Sequence, residues 1–144
     1  MLFRSFRVLN ALFGHAGIEW NILEATAEEQ VVLKDYIAFY KKHRQLIHSG
    51  NIARADVGNA YLYGTISQDK SEAIFTYMQL ATADGFLSKS AQFAGLDPNR
   101  TYRVSVIEAL SSNDLIHRAN PGWWPQIAIS GAELATFEIG RAHV

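Results

Sequence analysis

Two hydrophobic periods share this chain, one helical and one alternating, and they change over near residue 50. Leu2, Phe6, Leu9 and Phe13 recur at the spacing of one helix face and predict an amphipathic helix packed on a sheet or barrel wall. The run Leu12-Phe13-Gly14-His15-Ala16-Gly17-Ile18-Glu19-Trp20 comes next. Each glycine costs a helix about 1 kcal/mol relative to alanine, so the run reads as a short strand buried on both faces. Asn21 to Ala25 then connects to the next element. There, Thr26-Ala27-Glu28-Glu29 has the form of a capping box, in which the threonine hydroxyl and the third residue's carboxylate exchange hydrogen bonds with each other's backbone amides. Leu33, Ile37, Tyr40 and Ile47 form one apolar stripe, flanked by Val32, Tyr36 and Phe39. Acids lead this segment and Lys41, Lys42, Arg44 and His48 end it, as the helix dipole prefers. A helix over 27–48 follows, with Gly50 as its stop.

Beyond Gly50 the pattern turns to short runs broken by turns. Asn59–Ile66 reads as a strand, Gln68-Asp69-Lys70-Ser71 as a turn, and Glu72 to Thr82 as a central strand, with Asp84-Gly85 turning after it. Leu96-Asp97-Pro98-Asn99 is a turn set by proline. Arg100 to Ile107 alternates, with Tyr102, Val104 and Val106 inward and Thr101, Arg103 and Ser105 outward, as in a half-buried antiparallel strand. Asn120-Pro121-Gly122 is another turn, and Ile127 to Ile129 opens a further strand. Several short strands at such spacing indicate a sandwich or barrel. A lone strand and helix cannot make a core, so the first fifty residues read as part of something larger.

Composition narrows the picture. In 144 residues, 49% are hydrophobic and 19% charged, enough apolar material for one folded domain. A net charge of −1 gives no electrostatic case for nucleic acid or an anionic membrane. No run approaches the roughly 18 apolar residues of a membrane span. Arg4, Arg7 and Asn10 interrupt the N-terminal apolar stretch, which makes a poor signal peptide. The cytoplasm is the expected location, although a leader on a longer parent would not be visible here. With no cysteine, disulfides and thiolate chemistry are excluded.

Candidate chemistry is sparse. His15 and Glu19 have the i, i+4 spacing of a helical metal pair, but Gly14 and Gly17 oppose a helix. On a strand, His15, Gly17 and Glu19 share a face. At the C-terminal end of a barrel strand Glu19 would be a barrel-facing, substrate-side candidate; otherwise it is a wall position or ion pair. His43 and His48 are five apart, which suits a solvated basic helix end better than a ligand pair. Trp123-Trp124-Pro125 is either a sugar-stacking platform or packing at a domain junction. Asp56, Asp69, Asp84 and Asp97 fall in turns, where aspartate serves local hydrogen bonding. No nucleophile elbow, phosphate loop, dinucleotide fingerprint or zincin motif is present.

The segment Phe6 to Trp20, strongest over Ala11-Leu12-Phe13-Gly14-His15-Ala16-Gly17-Ile18-Glu19-Trp20, resembles the late barrel segment of the α-galactosidases of glycoside hydrolase family 36. Tyr40-Lys41-Lys42-His43-Arg44 with Leu46-Ile47-His48-Ser49-Gly50 looks like the family's last barrel helix. Gly95-Leu96-Asp97-Pro98-Asn99-Arg100, Tyr102-Arg103-Val104 and Ile129-Ser130-Gly131 are further, shorter likenesses. The resemblance implies an α+β fragment: the last strand and helix of a (β/α)8 barrel over residues 1–50, then an incomplete antiparallel β-sandwich over 51–137. It implies part of a retaining enzyme that removes terminal α-galactosyl residues from oligosaccharides such as raffinose or melibiose. Neither a cofactor nor a metal is implied, and the expected parent is a homo-oligomer, a tetramer among the forms it could take. The family's two catalytic aspartates lie on earlier barrel strands, so no catalytic residue carries over to this chain, which is expected to be inactive alone. Asn21 stands where the family commonly has aspartate after Glu-Trp. Glu138-Ile139-Gly140-Arg141-Ala142-His143-Val144 resembles a translated sequencing adapter, so residues 138–144 are expected to be a non-native tail. The alternative from another class is a non-catalytic carbohydrate-binding β-sandwich module.

Overall fold

The computed structural model describes residues 10–14, 17–19, 21–58, 60–80, 92–105, 107 and 128–136. The expected helix over 2–13 falls mostly outside that set. Its end is seen: Asn10 and Ala11 are helical, and Gly14 N–H donates to the Ala11 carbonyl at 3.1 Å to close a turn. Residues 17–19 are irregular, so the expected two-face strand does not form in the described part of this run. A parallel strand takes its hydrogen bonds from strands on either side, and no described strand pairs with it.

Helix α1 (Ala27–Ser49) runs one residue past the expected end. Its capping box is complete: Glu29 N–H donates to Thr26 Oγ1 at 3.3 Å, and Thr26 N–H donates to Glu29 Oε2 at 3.0 Å. Thr26→Ala should therefore lower stability by about 1 kcal/mol in chemical denaturation. Tyr36 and Ile47 are buried with Leu12, and Phe13, Leu33, Ile37, Phe39 and Tyr40 pack around them. Val32, expected to flank this stripe, is instead exposed. Gly50 ends the helix for a reason other than the expected one. Its backbone is extended (φ −78°), and its N–H donates to the Leu46 carbonyl at 2.9 Å. What demands glycine is crowding: a Cβ would strike the Thr65 methyl and lie 2.7 Å from both the Ile66 and Leu46 carbonyls.

Three antiparallel strands follow, β1 (Asn51–Val57), β2 (Ala60–Ile66) and β3 (Ala73–Gln79), in that spatial order. Strand β1 carries little sequence signal, because the middle of its core side is formed by the small Ala53 and Ala55. Gly58 (φ 62°) lies in the two-residue connection to β2, where a positive φ favours glycine. Among the described strands, β2 lies between its partners β1 and β3, so the sequence order of β2 and β3 is also their spatial order. Alternation could not separate the two, since both are apolar on both faces.

Strands β4 (Thr101–Arg103) and β5 (Ala128–Ser130) form a second antiparallel pair, with Tyr102 opposite Ile129. The alternation expected for 100–107 holds where described, with Tyr102 and Val104 half-buried and Thr101, Arg103 and Ser105 exposed, but the strand stops at Arg103. Within the strand-built segment expected beyond Gly50, the chain also forms a short helix, α2 (Gly131–Thr136). Ser130 N–H and Oγ–H donate to Glu133 Oε2 at 2.8 and 2.7 Å, and Glu133 N–H donates back to Ser130 Oγ at 3.2 Å. This Ser-x-x-Glu arrangement is a second capping box and was legible as one. Ile66, Leu96 and Leu134 form the second core, joined by Phe75, Phe93, Tyr102 and Ile129. The result is an α+β arrangement with antiparallel sheets.

Candidate functional site

The candidates from sequence do not converge. Glu19 is exposed on irregular backbone, and His15 lies outside the described residues, so their pairing is not seen. Trp123, Trp124 and Asp84 also lie outside them, as do residues 138–144. Among the described residues, no group of three or more His, Asp or Glu is placed to hold a metal ion. Asn21 does local work: its Oδ1 accepts from Leu23 N–H at 3.2 Å and its Nδ2 donates to Glu24 Oε1 at 2.8 Å, capping a short 3-10 turn (Ile22–Glu24).

The end of α1 is less solvated than its charge suggests. Lys41, Lys42 and Arg44 are exposed, but His43 is half-buried with its ring 4.5 Å from that of Phe39. Burial, with help from Lys42, holds its pKa below the ordinary histidine value, against a smaller opposing pull from Glu72. His48 is not a free basic end: Tyr40 Oη and His48 Nε2 share a 2.7 Å hydrogen bond. Tyr36 stacks on Tyr40 at 6.5 Å, is only 5% exposed, and its hydroxyl has no hydrogen-bond partner among the described residues. Burial, then the neighbouring Tyr40, raises its pKa.

Of the aspartates expected in turns, Asp69 and Asp97 are there, whereas Asp56 sits in β1 opposite Tyr61. Asp69 accepts from Ser71 N–H at 3.0 Å and from the Ser67 and Ser71 hydroxyls, each at 2.8 Å. The Ser71 amide, then these two hydroxyls, holds the carboxyl at about 2, against an ordinary 3.8. A depressed pKa stabilises the fold above the unfolded value and loses that effect as the folded group protonates. The melting temperature of the native chain should therefore exceed that of Asp69→Asn at neutral pH, and the gap should close as pH falls from 3.8 to about 2. A gap that does not change with pH would refute this.

Sequence reading missed the bond that ties the two sheets. Tyr102 Oη–H donates to the Lys70 carbonyl at 2.7 Å, 32 residues away, and Tyr102 Oη accepts from Asp97 N–H at 3.0 Å. Lys70 has φ 57°, an uncommon conformation for a side-chain-bearing residue, and sits in the turn closed by its N–H donating to the Ser67 carbonyl at 2.9 Å. This geometry holds turns in place. Among the described residues around Tyr102 it brings together no nucleophile–base pair and no paired carboxylates for acid–base chemistry.

Comparison with known proteins supplies what the geometry does not. Residues 60–137, more than half the chain, match the glycosyl hydrolase family 36 C-terminal domain, and residues 3–50 match the melibiase family. The chain is 40% identical over 106 residues to an alpha-galactosidase of Escherichia coli, a stretch covering 72% of this chain and 15% of that one. It is 32% identical over 111 residues to the alpha-galactosidase AgaA of Geobacillus stearothermophilus, covering 74% of this chain and 15% of the relative. Among solved structures, the alpha-galactosidase of Lactobacillus brevis superposes with a TM-score of 0.73 at 26% identity, over 96% of this chain and 17% of that one. The chain thus spans less than a fifth of the length of these relatives. It belongs to glycoside hydrolase family 36.

Proposed function

We propose that this chain is the part of an α-galactosidase where the end of the (β/α)8 catalytic barrel meets a C-terminal β-sandwich. The observation that carries this is the meeting of two family matches, at residues 3–50 and 60–137, on either side of the point where α1 gives way to the sheet. Oligosaccharides with terminal α-galactosyl groups, such as raffinose or melibiose, are the substrates we infer. A variant of AgaA from Geobacillus stearothermophilus is known in complex with stachyose, which supports that class.

The expected reaction is hydrolysis with retention, by a nucleophilic carboxylate and a carboxylic acid about 5–5.5 Å apart across the scissile bond. In the described part of the barrel-matching segment, Glu24 lies in a short 3-10 turn and Glu28, Glu29 and Asp35 lie on α1, which leaves the exposed Glu19 as the barrel-facing candidate and gives it no partner for a double displacement. Purified alone, the chain should show no turnover of an aryl α-galactoside above buffer. Exchanged for the stretch it matches in the Escherichia coli relative, it should give an active hybrid. Turnover by the isolated chain that disappears in Glu19→Gln would overturn this division of labour, and a folded but inactive hybrid would count against the family function for this chain.

A further inference from the structure

We infer that the outer face of the first sheet, centred on Tyr61 and Tyr63, is a docking surface for the remainder of the catalytic barrel. This rests on reading the chain as the end of an α-galactosidase. In the antiparallel register, Arg54, Tyr63 and Thr76 lie opposite one another, as do Asp56, Tyr61 and Met78. Residues opposite in register share a face, so these six occupy the side of the sheet away from the core that holds Ala53 and Phe75.

One end of this face is already covered. Thr65 is 1% exposed and meets Gly50 at the end of α1, while Ile74 and Thr76 are buried. Phe13, from the segment matching the melibiase family, sets its ring edge-on to Tyr63 at 4.8 Å and 78°. Toward Tyr61 that cover fades: Tyr61 and Met78 are half-buried, and Arg54 and Asp56 are exposed. The barrel-side contact made by Phe13 therefore leads directly onto an incompletely covered patch.

The patch is ordered and has the composition of an interface. Tyr61 and Tyr63 stack at 6.4 Å with planes 17° apart, and the Arg54 guanidinium lies 5.4 Å from the centre of the Tyr63 ring. Tyrosine, arginine and methionine are the types enriched at protein contacts, and little side-chain freedom remains to be lost on docking. The occupant this fits is a protein surface with an apolar centre over Tyr61 and Met78 and polar groups facing Arg54 and Asp56. The barrel that continues from Phe13 is the surface in reach.

The test compares the isolated chain with the hybrid in which it replaces the matching stretch of the Escherichia coli relative. In the hybrid, Tyr61→Ala with Met78→Ala should shorten the half-life of thermal inactivation about tenfold, the equivalent of about 1.4 kcal/mol of lost contact. The same pair should destabilise the isolated chain much less than the hybrid, and Thr101→Ala, exposed on β4, should affect neither protein. Hydroxyl-radical labelling of Tyr61 should fall several-fold from isolated chain to hybrid, a readout independent of catalysis. An active hybrid whose Tyr61 labels as in the isolated chain overturns the docking surface and leaves the α-galactosidase reading standing. A folded, inactive hybrid with Tyr61 protected does the reverse. Equal destabilisation of both proteins would make the pair structural only. An isolated chain that sediments as a dimer and becomes monomeric with Tyr61→Ala would assign the face to a second copy of the chain.

Discussion

Gly131→Ala should cost about 3 kcal/mol of folding stability, near the upper end for a single added methyl in a packed interior. The methyl would strike the Asp97 carbonyl oxygen, lie 2.7 Å from its carbon, and approach Tyr102 Cε2 to 3.1 Å. None of these neighbours can yield easily. The Asp97 turn is pinned by Arg100 N–H donating to the Asp97 carbonyl at 3.2 Å and by Asn99 N–H donating to Asp97 Oδ1 at 2.9 Å. Gly131 itself is held there by its N–H donating to the Arg100 carbonyl at 2.9 Å. Relief must therefore come from separating α2 from the turn, which would lift Leu134, 2% exposed, out of the second core. Urea unfolding of the purified chain measures the cost; a loss under about 1 kcal/mol, ordinary for a tolerated substitution, would refute it.

Tyr102→Phe should cost about 2 kcal/mol, because it removes one hydroxyl and leaves two part-buried backbone groups unpaired. Asp97 N–H loses its acceptor and the Lys70 carbonyl loses its donor. The ring stays, so packing with Ile66 and Leu134 is retained and the loss reports on the hydrogen bonds. Both substitutions act on the same turn, so the double variant should fall short of the sum of the two singles. Additive losses would mean that Gly131 and Tyr102 hold the turn independently.

Some of this structure could be read directly from residue order. The capping box at Thr26 and Glu29, the stripe through Leu33, Ile37, Tyr40 and Ile47, and the alternation of Thr101 to Ser105 are all local patterns. Each follows from a repeat of the backbone itself, 3.6 residues for a helix and two for a strand. The resemblance over Ala11–Trp20 pointed to the family for a related reason, since ordered residue types along one stretch are a sequence property. The candidate site was far less legible. Glu19 lies exposed on irregular backbone, and His48 is tied to Tyr40, two turns earlier on the same helix.

What the amino-acid order determined, then, was where elements start, which faces are apolar, and which family the chain resembles. Tertiary structure decided the rest, because it depends on groups far apart in sequence. Strand β1 exists because β2 supplies its hydrogen bonds, despite the weak apolar side formed by Ala53 and Ala55. Among the described strands, β2 lies between β1 and β3 because of pairing order, which alternation does not encode. Gly50 and Gly131 are required by Thr65, Ile66 and Asp97 pressing on them, and Tyr102 reaches Lys70 only once both sheets are in place. The run around Gly14 to Glu19 shows the limit most clearly: a strand's pattern is local, but its hydrogen bonds must come from neighbouring strands.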